Sequence, residues 1–524
     1  MRLPTNVVTI AKQTNIISLF GGINETSITG DNEFSDMLNM SSDLYPGLTN
    51  RQRRGSVIKT VTKPNGLFWK NGLLYIDGTD VYYKDSKIGT VTDSEKKIVG
   101  MGAYICIWPD KKVYNTADKT WKDIEASYTQ TGSLSVAPVS DASTYVKISG
   151  DSIGTHFERY DAVTIAGFTT NGDLLNVSKV IQEKGDNYIV VIAAGASTFT
   201  QTSGVQMKRT APDLDFVCEF NNRIWGCSST NREIYASKLG DPCNWNSFEG
   251  ISTDSYAVSI GSDGDFTGCI AHQGYVIFFK EDVIHTIYGS KPSNYQVDTI
   301  QLRGVAKGCE KSLCRVDETV YYASRNDICA FEGSVPETIS NKLQIKYQAA
   351  AAQQYDSKLY ISLQDKDGVW HLYVYDAARS QAGNTALWYK EDNLQIRFSC
   401  FAEGKLYLID GSGNLREIYD DGHEKTMEWM ATSGIIEEGS LQKKKIHKLQ
   451  LNIELGDNAI FQLYVRYDSN PKWILCRQVI NDQRKTYVIP MKLNRCSNYQ
   501  YRIHGYGECK VFGMARIVEG GSDR

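Results

Sequence analysis

The sequence predicts an all-β protein: a β-propeller of about seven blades, carrying an inserted small β-barrel domain and a C-terminal β-sandwich. Three observations predict it. A two-strand phrase recurs seven times, helical periodicity is almost absent, and the text changes to long alternating strands after Thr432.

The phrase is a Gly/Asn/Asp turn, a strand rich in aromatics, a second polar turn, and a strand carrying Tyr or Phe. It reads Asn71-Gly-Leu-Leu-Tyr75 with Val81-Tyr-Tyr83, then Gly102-Ala-Tyr-Ile-Cys-Ile-Trp108 with Val113-Tyr114. It returns as Asn221-Asn-Arg-Ile-Trp225 with Ile234-Tyr235, and as Gly274-Tyr-Val-Ile-Phe-Phe279 with Ile287-Tyr288. Three more follow: Asp317 to Tyr322 with Cys329-Ala-Phe331, Asp356 to Tyr360 with Leu372 to Tyr375, and Gly404 to Tyr407 with Glu417-Ile-Tyr419. From the third unit on, the spacing is roughly 40 to 50 residues, the period of a four-stranded blade. One twisted sheet cannot bury both faces alone, whereas stacking against neighbours buries each. Terminal blades are often completed from both chain ends, so six or eight blades also fit.

The expected organisation is residues 1–60 as an N-terminal arm or cap, 61–126 as the first blades, and 127–211 as an inserted β domain. The remaining blades occupy 212–432 and the sandwich 433–524. The insertion contains Tyr160 to Gly167, the Asn171-Gly172 turn and the apolar run Asn187 to Ile192. The sandwich strands are read at 446–455, 459–467, 473–480, 499–506 and 509–519. One short helix is expected at 347–354, where Ala349 to Ala352 run together between polar residues.

Composition narrows the function classes. The 524 residues carry a formal net charge of −4, so no global basic surface advertises nucleic acid. Arg51-Gln-Arg-Arg54 and Lys443-Lys-Lys445 are local exceptions, read as solvated strand ends or loops. The 31 Tyr favour strands and half-wet protein contacts. No cationic segment followed by an apolar block opens the chain, and no apolar run is long enough to span a bilayer. The 12 cysteines are scattered with no CxxC pair, which fits buried reduced thiols in a protein made in the cytosol.

The common catalytic signatures are absent from the sequence. There is no Walker loop, HExxH, dinucleotide fingerprint or Gly-x-Ser-x-Gly elbow. Gln364 to Trp370 only approaches the Asp-box of sialidases. Asp410-Gly-Ser-Gly-Asn414 and Ser262-Asp-Gly-Asp265 look superficially like calcium loops but lack a closing Glu, and read as hairpin turns. The seven histidines (156, 272, 285, 371, 423, 447, 504) stand singly, and the Glu437-Glu438 pair could serve a glycosidase only with spatial support. The expectation is therefore no enzyme, no cofactor and no metal.

A resemblance adds to this reading. Phe220 to Cys227 followed by Glu233-Ile-Tyr-Ala-Ser-Lys-Leu-Gly-Asp-Pro-Cys-Asn-Trp245 resembles a phrase of bacteriophage tail structural proteins. The opening Leu19-Phe-Gly-Gly-Ile-Asn24, with Glu33 to Met40 and Tyr45-Pro46, is similar to the arms that begin such proteins. Phe278 to Asp282 with Ile287 to Ser290 extends the likeness, which covers about Ile16 to Gly333. It implies a virion component like the propeller-bearing nozzle or hub of short-tailed phages. Such a subunit forms a ring, commonly sixfold, below the portal, contacting portal, adaptor and other tail proteins. DNA passes through its lumen without sequence-specific binding, and assembly occurs in the bacterial cytoplasm. The large insertion and the sandwich depart from a strict match and leave nozzle, adaptor and distal tail roles open. The alternative is a virion propeller that binds or degrades host-surface glycans. Candidate interface residues carried by the phrase are Asn222, Arg223, Trp225, Tyr235, Ser237, Asp241 and Trp245, against which stands the plainer reading that Trp225 fills a blade interface and Arg223 satisfies a turn.

Overall fold

The computed structural model describes residues 12–520 except 141–143, 384–385, 421–423, 425–426, 440, 442, 481–483 and 492–494. His423 therefore lies outside the described residues. Residues 61–310 form one compact unit, and the described parts of 1–60 and 311–524 form the other. Strand accounts for 53% of the structure and helix for 3%, which settles the all-β class.

Seven four-stranded antiparallel sheets have the meander order of propeller blades. Each recurrent phrase supplies the two middle strands of one sheet: Leu73–Asp77 with Asp80–Tyr83 in the first, Arg223–Ser228 with Glu233–Ala236 in the third, Lys405–Asp410 with Asn414–Glu417 in the seventh. The turn before each phrase explains its Asn, Asp and Gly. Asn221 and Asn222 both take positive φ, 50° and 57°, as do Asp356 and Ser357 at 50° and 52°. That is the two-residue turn whose twist matches paired strands, and Asn and Asp tolerate it best among residues bearing a Cβ. Four blades lie in the 61–310 unit and three in the other. The seventh is completed by Val57–Thr60, which pairs with Asn414–Glu417, so the two ends of the propeller sequence share a blade.

The predicted helix at 347–354 is instead the strand Tyr347–Tyr355, paired along Lys358–Asp365. Ala350, Ala351 and Ala352 are buried in the sheet, and Ala352 N–H donates to the Lys311 carbonyl at 2.9 Å. Small side chains at this point let a neighbouring segment lie close, and tertiary pairing overrides the helical preference of alanine.

The insertion folds as two sheets, Ala126–Thr129 with three partners and Leu134–Pro138 within a five-stranded sheet. Val136, Ile148, Val163, Ile165, Ile189 and Met207 are fully or almost fully buried in a core of its own.

The N-terminal segment is not a free arm. Lys12–Ile17 and Leu48–Asn50 pair with Cys509–Gly520, and Phe34–Leu38 pairs with Glu428–Ser433. The C-terminal strands therefore form two sheets that each include N-terminal strands, with Lys444–Leu455 and Cys509–Gly520 central in one and Tyr499–Tyr506 and Ile460–Tyr467 in the other. The short, irregular N-terminal strands carry little periodicity because their partners are remote in sequence.

The basic run 51–54 also departs from expectation. Arg51 and Arg54 are buried, at 3% and 7% exposure. Arg51 holds Glu424 through both Nη atoms at 2.8 and 3.1 Å and donates Nε to Asn39 at 2.7 Å. Arg54 binds Asp392 at 3.0 and 3.2 Å and Glu391 at 2.5 Å, and stacks on Tyr419, whose hydroxyl donates to Glu391. Each buried guanidinium needs opposite charge, which Glu391, Asp392 and Glu424 supply from far along the chain, while Arg54 Nη1 keeps no hydrogen-bond partner among the described residues. Lys444 of the second basic run is buried as well, donating to the Ser497 carbonyl.

This cluster sets an acid sensitivity. Burial works against ionised Asp392 and Glu424, yet Arg54 and Arg51 outweigh it and hold both carboxyls below their ordinary values. A depressed folded-state pKa gives stability that is present above the unfolded value near 4 and lost as pH falls through the folded one. Buried Glu391 is pushed up and works in the opposite sense. We expect wild-type stability to decline below about pH 4, and Arg51→Met to flatten that decline, read by urea unfolding from pH 6 to pH 3. An unchanged slope in the variant would remove the cluster from the account.

Candidate functional site

The phrase that carries the resemblance builds one joint inside the 61–310 unit. Strand Arg223–Ser228 is wholly buried because it is a middle strand packed on the fourth blade. Trp225 sits 5.1 Å from Tyr295 and 6.0 Å from Tyr256, in a core with Val276 and Phe278. It fills the interface between adjacent blades.

Arg223 is 2% exposed and organises the loop that follows the next strand. Its Nη1 donates to the carbonyls of Ser237 and Asp254, and its Nη2 to that of Ser252 at 2.8 Å. The Ser237 hydroxyl accepts Ile224 N–H at 3.0 Å. Asp241 accepts Cys243 N–H at 2.9 Å and the Asn244 amide, and Trp245 Nε1 donates to the Pro242 carbonyl at 2.9 Å. Trp245 meets Trp108 of the second blade edge-on at 5.8 Å. Tyr235 accepts from Asn231 at 2.9 Å and donates to Glu233. Burial first, then that bond, push its hydroxyl up to about 12. Asn222 is exposed and serves as the turn residue, its N–H donating to Glu219 at 2.9 Å.

The decisive residue is one the sequence reading passed over. Asn244 is fully buried; its Oδ1 accepts Ala162 N–H at 2.7 Å and its Nδ2 donates to Asp161 at 3.2 Å. Asp161 in turn pairs with Arg209, and both are about 95% buried. Arg209 Nε reaches the Ile124 carbonyl at 2.8 Å, tying together the two points where the insertion leaves and rejoins the propeller sequence. Nearby, Ser178 donates to the Asn246 carbonyl at 2.8 Å. The Gly-Asp-Pro-Cys-Asn-Trp segment thus fixes the inserted domain to the third blade. A buried Asn flanked by Cys and Trp was the available signal, but its partners lie 82 and 83 residues away.

The same loop leaves apolar side chains in solvent. Leu239, Phe248 and Ile251 are 42%, 59% and 51% exposed. They are held out by a rigid turn, in which one Asp254 oxygen accepts the N–H groups of Glu249, Gly250 and Ile251 at 2.6 to 3.0 Å. Beside the joint, Tyr160 and Val177 of the inserted domain are exposed too.

The chain matches no family model and no curated protein. Among solved structures, the computationally designed Ika8 protein is similar over 71% of this chain and 100% of its own, at 10% identity and a TM-score of 0.34. BamB from Moraxella catarrhalis is similar over 57% of this chain and 98% of its own, at 12% identity and a TM-score of 0.23. The exo-β-1,3-galactanase of Phanerochaete chrysosporium covers 57% of this chain and 94% of its own, at 11% identity and a TM-score of 0.23. Likeness this weak carries no argument about function.

The other sequence candidates resolve as structure. Asp410 Oδ1 accepts the N–H groups of Ser412 and Asn414, both at 2.9 Å, and Oδ2 accepts from Arg416 at 2.9 Å, closing a hairpin. Ser262 to Asp265 lines a cavity of about 540 Å³, but its Ser262 carbonyl receives the ammonium of buried Lys280 at 2.7 Å. Ser262 also bonds His285 at 2.9 Å, and burial, then Lys280, push that imidazole down to about 4. Among the described residues no group of three or more His, Cys, Asp or Glu is placed to hold a metal ion. Glu438 accepts from Tyr499 and pairs with buried Arg516, whereas Glu437 is exposed, so the two acids face different surroundings. None of the 12 cysteines is joined in a disulfide, and nine are buried. No described helix is long and apolar enough to cross a membrane.

Proposed function

We propose that this chain is a structural subunit of a bacteriophage tail, a nozzle- or hub-like ring component below the portal that forms part of the DNA conduit. The observation that carries the reading is the joint. The residues responsible for the resemblance hold an inserted domain rigidly on a blade, and they present Leu239, Phe248 and Ile251 outward from a braced loop. Exposed apolar side chains on an ordered loop suit association with other protein surfaces. A rigid carrier keeps the ordering cost of that association low. In this reading the loop contacts the next copy in a ring, commonly of six, and other surfaces meet portal, adaptor and further tail proteins. DNA passes without sequence-specific binding, and the protein acts in the virion after assembly in the host cytoplasm.

Sedimentation velocity tests the contact. Phe248→Glu with Ile251→Glu is expected to weaken self-association at least about tenfold, since each buries a charge in an apolar contact. Both side chains are exposed, so the unfolding temperature should stay within about 2 °C of wild type. Unaltered oligomers in the double variant would exclude this loop from the ring interface.

A further inference from the structure

The outer face of one C-terminal sheet holds two neighbouring arginines that form no ion pair among the described residues. Arg466 lies on Ile460–Tyr467 and Arg502 on the adjacent strand Tyr499–Tyr506, with Tyr464 opposite Arg502 in the register. Both guanidiniums stack on Trp473, at 4.7 and 4.3 Å from its centroid. Arg502 donates Nε to Thr432 Oγ1 at 2.9 Å, and Arg466 donates Nε to Gln500 Oε1 at 2.8 Å. These bonds fix the two side chains with neutral partners, Arg466 through both Nε and Nη2. Several arginines of this unit differ: Arg51, Arg54, Arg379, Arg416 and Arg516 each have a carboxylate at 3.3 Å or less. Arg466 and Arg502 have no such ion pair among the described residues; burial lowers the Arg502 pKa, Asp36 two strands away works against that, and Arg466 adds to it. An anion seated between two like charges held against one indole would relieve their repulsion.

The surroundings say what kind of anion. Beside the arginines, Gln478, Gln462, His504 and Glu428 form one hydrogen-bonded row across four strands, with spacings of 3.0, 3.0 and 2.7 Å. Tyr464 donates to Gln462 at 3.0 Å, and the rings of Tyr464, His504 and Tyr506 follow one another, with Tyr506 38% exposed. Amides, an imidazole and half-exposed rings in a fixed row suit hydroxyl groups and the apolar faces of sugar rings. Glu428 at the far end accepts hydroxyl donors but repels a chain carrying phosphate at every unit.

We infer that this face binds an anionic saccharide, its carboxylate or phosphate received by Arg466 and Arg502 and its rings laid along Tyr464, His504 and Tyr506. The inference concerns the isolated chain and stands apart from the ring reading, so failure of one leaves the other intact.

Titration calorimetry of the full chain tests it with four probes: an oligogalacturonate, a phosphorylated mannose oligosaccharide, a neutral galactose oligomer and an oligothymidylate. At least one acidic saccharide should bind about tenfold or more tightly than the neutral oligomer, and the first two probes separate carboxylate from phosphate recognition. Arg466→Gln with Arg502→Gln should remove that preference, and Tyr506→Ala should weaken binding several-fold while sparing it. Arg502→Lys, which keeps the charge but loses the fork, should bind more weakly than wild type and serves if the double variant does not fold. Equal affinity for acidic and neutral oligomers, tighter binding of the oligothymidylate, or a double variant that binds like wild type would each overturn the inference.

Discussion

Replacing Glu391 with Ala is expected to cost about 3–5 kcal/mol of stability, the usual consequence of removing one partner from a buried ion pair. Glu391 is 1% exposed and takes hydrogen bonds from Arg54 and Tyr419. Its loss leaves a buried guanidinium short of charge and a buried phenol without an acceptor. The contrast lies one residue from the cluster. Arg53 pairs with Glu508 at 3.3 Å, but both side chains are largely exposed, at 41% and 61%. Arg53→Ala should therefore change stability by less than about 1 kcal/mol. Urea unfolding of the two variants, followed by circular dichroism, reads the difference. Similar losses in both would mean that the buried network contributes no more than a surface pair.

The second large effect belongs to the joint. Asp161→Ala leaves Arg209 buried and uncompensated and deprives Asn244 of an acceptor, for an expected loss of about 3–5 kcal/mol. Asn244→Ala should cost less, about 1–3 kcal/mol, because the Asp161–Arg209 pair survives. Both variants should be cut sooner by protease near the crossings, around residues 124–126 and 209–211, while the core of the inserted domain stays protected. Cleavage that begins inside that core instead would show that the inserted domain depends on the joint for its own folding.

How much of this was legible in sequence follows from the range of the interactions. The blades were readable because each phrase is local: Asn221 and Asn222 announce the turn, and the aromatic strand after them is buried on both faces. Trp225 and Arg223 could be placed for the same reason, one in a blade interface and the other capping loop carbonyls. The N-terminal strands were not readable, because Lys12–Ile17 finds its partner about 500 residues later in Cys509–Gly520. Arg51 and Arg54 looked like a solvated run because nothing nearby neutralises them, whereas their carboxylates lie some 340 to 370 residues on. Ala349 to Ala352 misled in the other direction: a local helical preference yielded to a strand whose neighbours need small side chains. Asn244 shows the limit most clearly, since its identity is plain in the phrase and its purpose appears only with Asp161 beside it.

The central proposal is that the chain is a tail ring subunit, and electron microscopy of the purified protein, alone and with phage portal and adaptor proteins, tests it most directly. The account predicts closed rings with an axial hole, formed alone or on the portal complex, with the loop of Phe248 and Ile251 at the contact between copies. Persistent monomers that ignore the portal complex would contradict it.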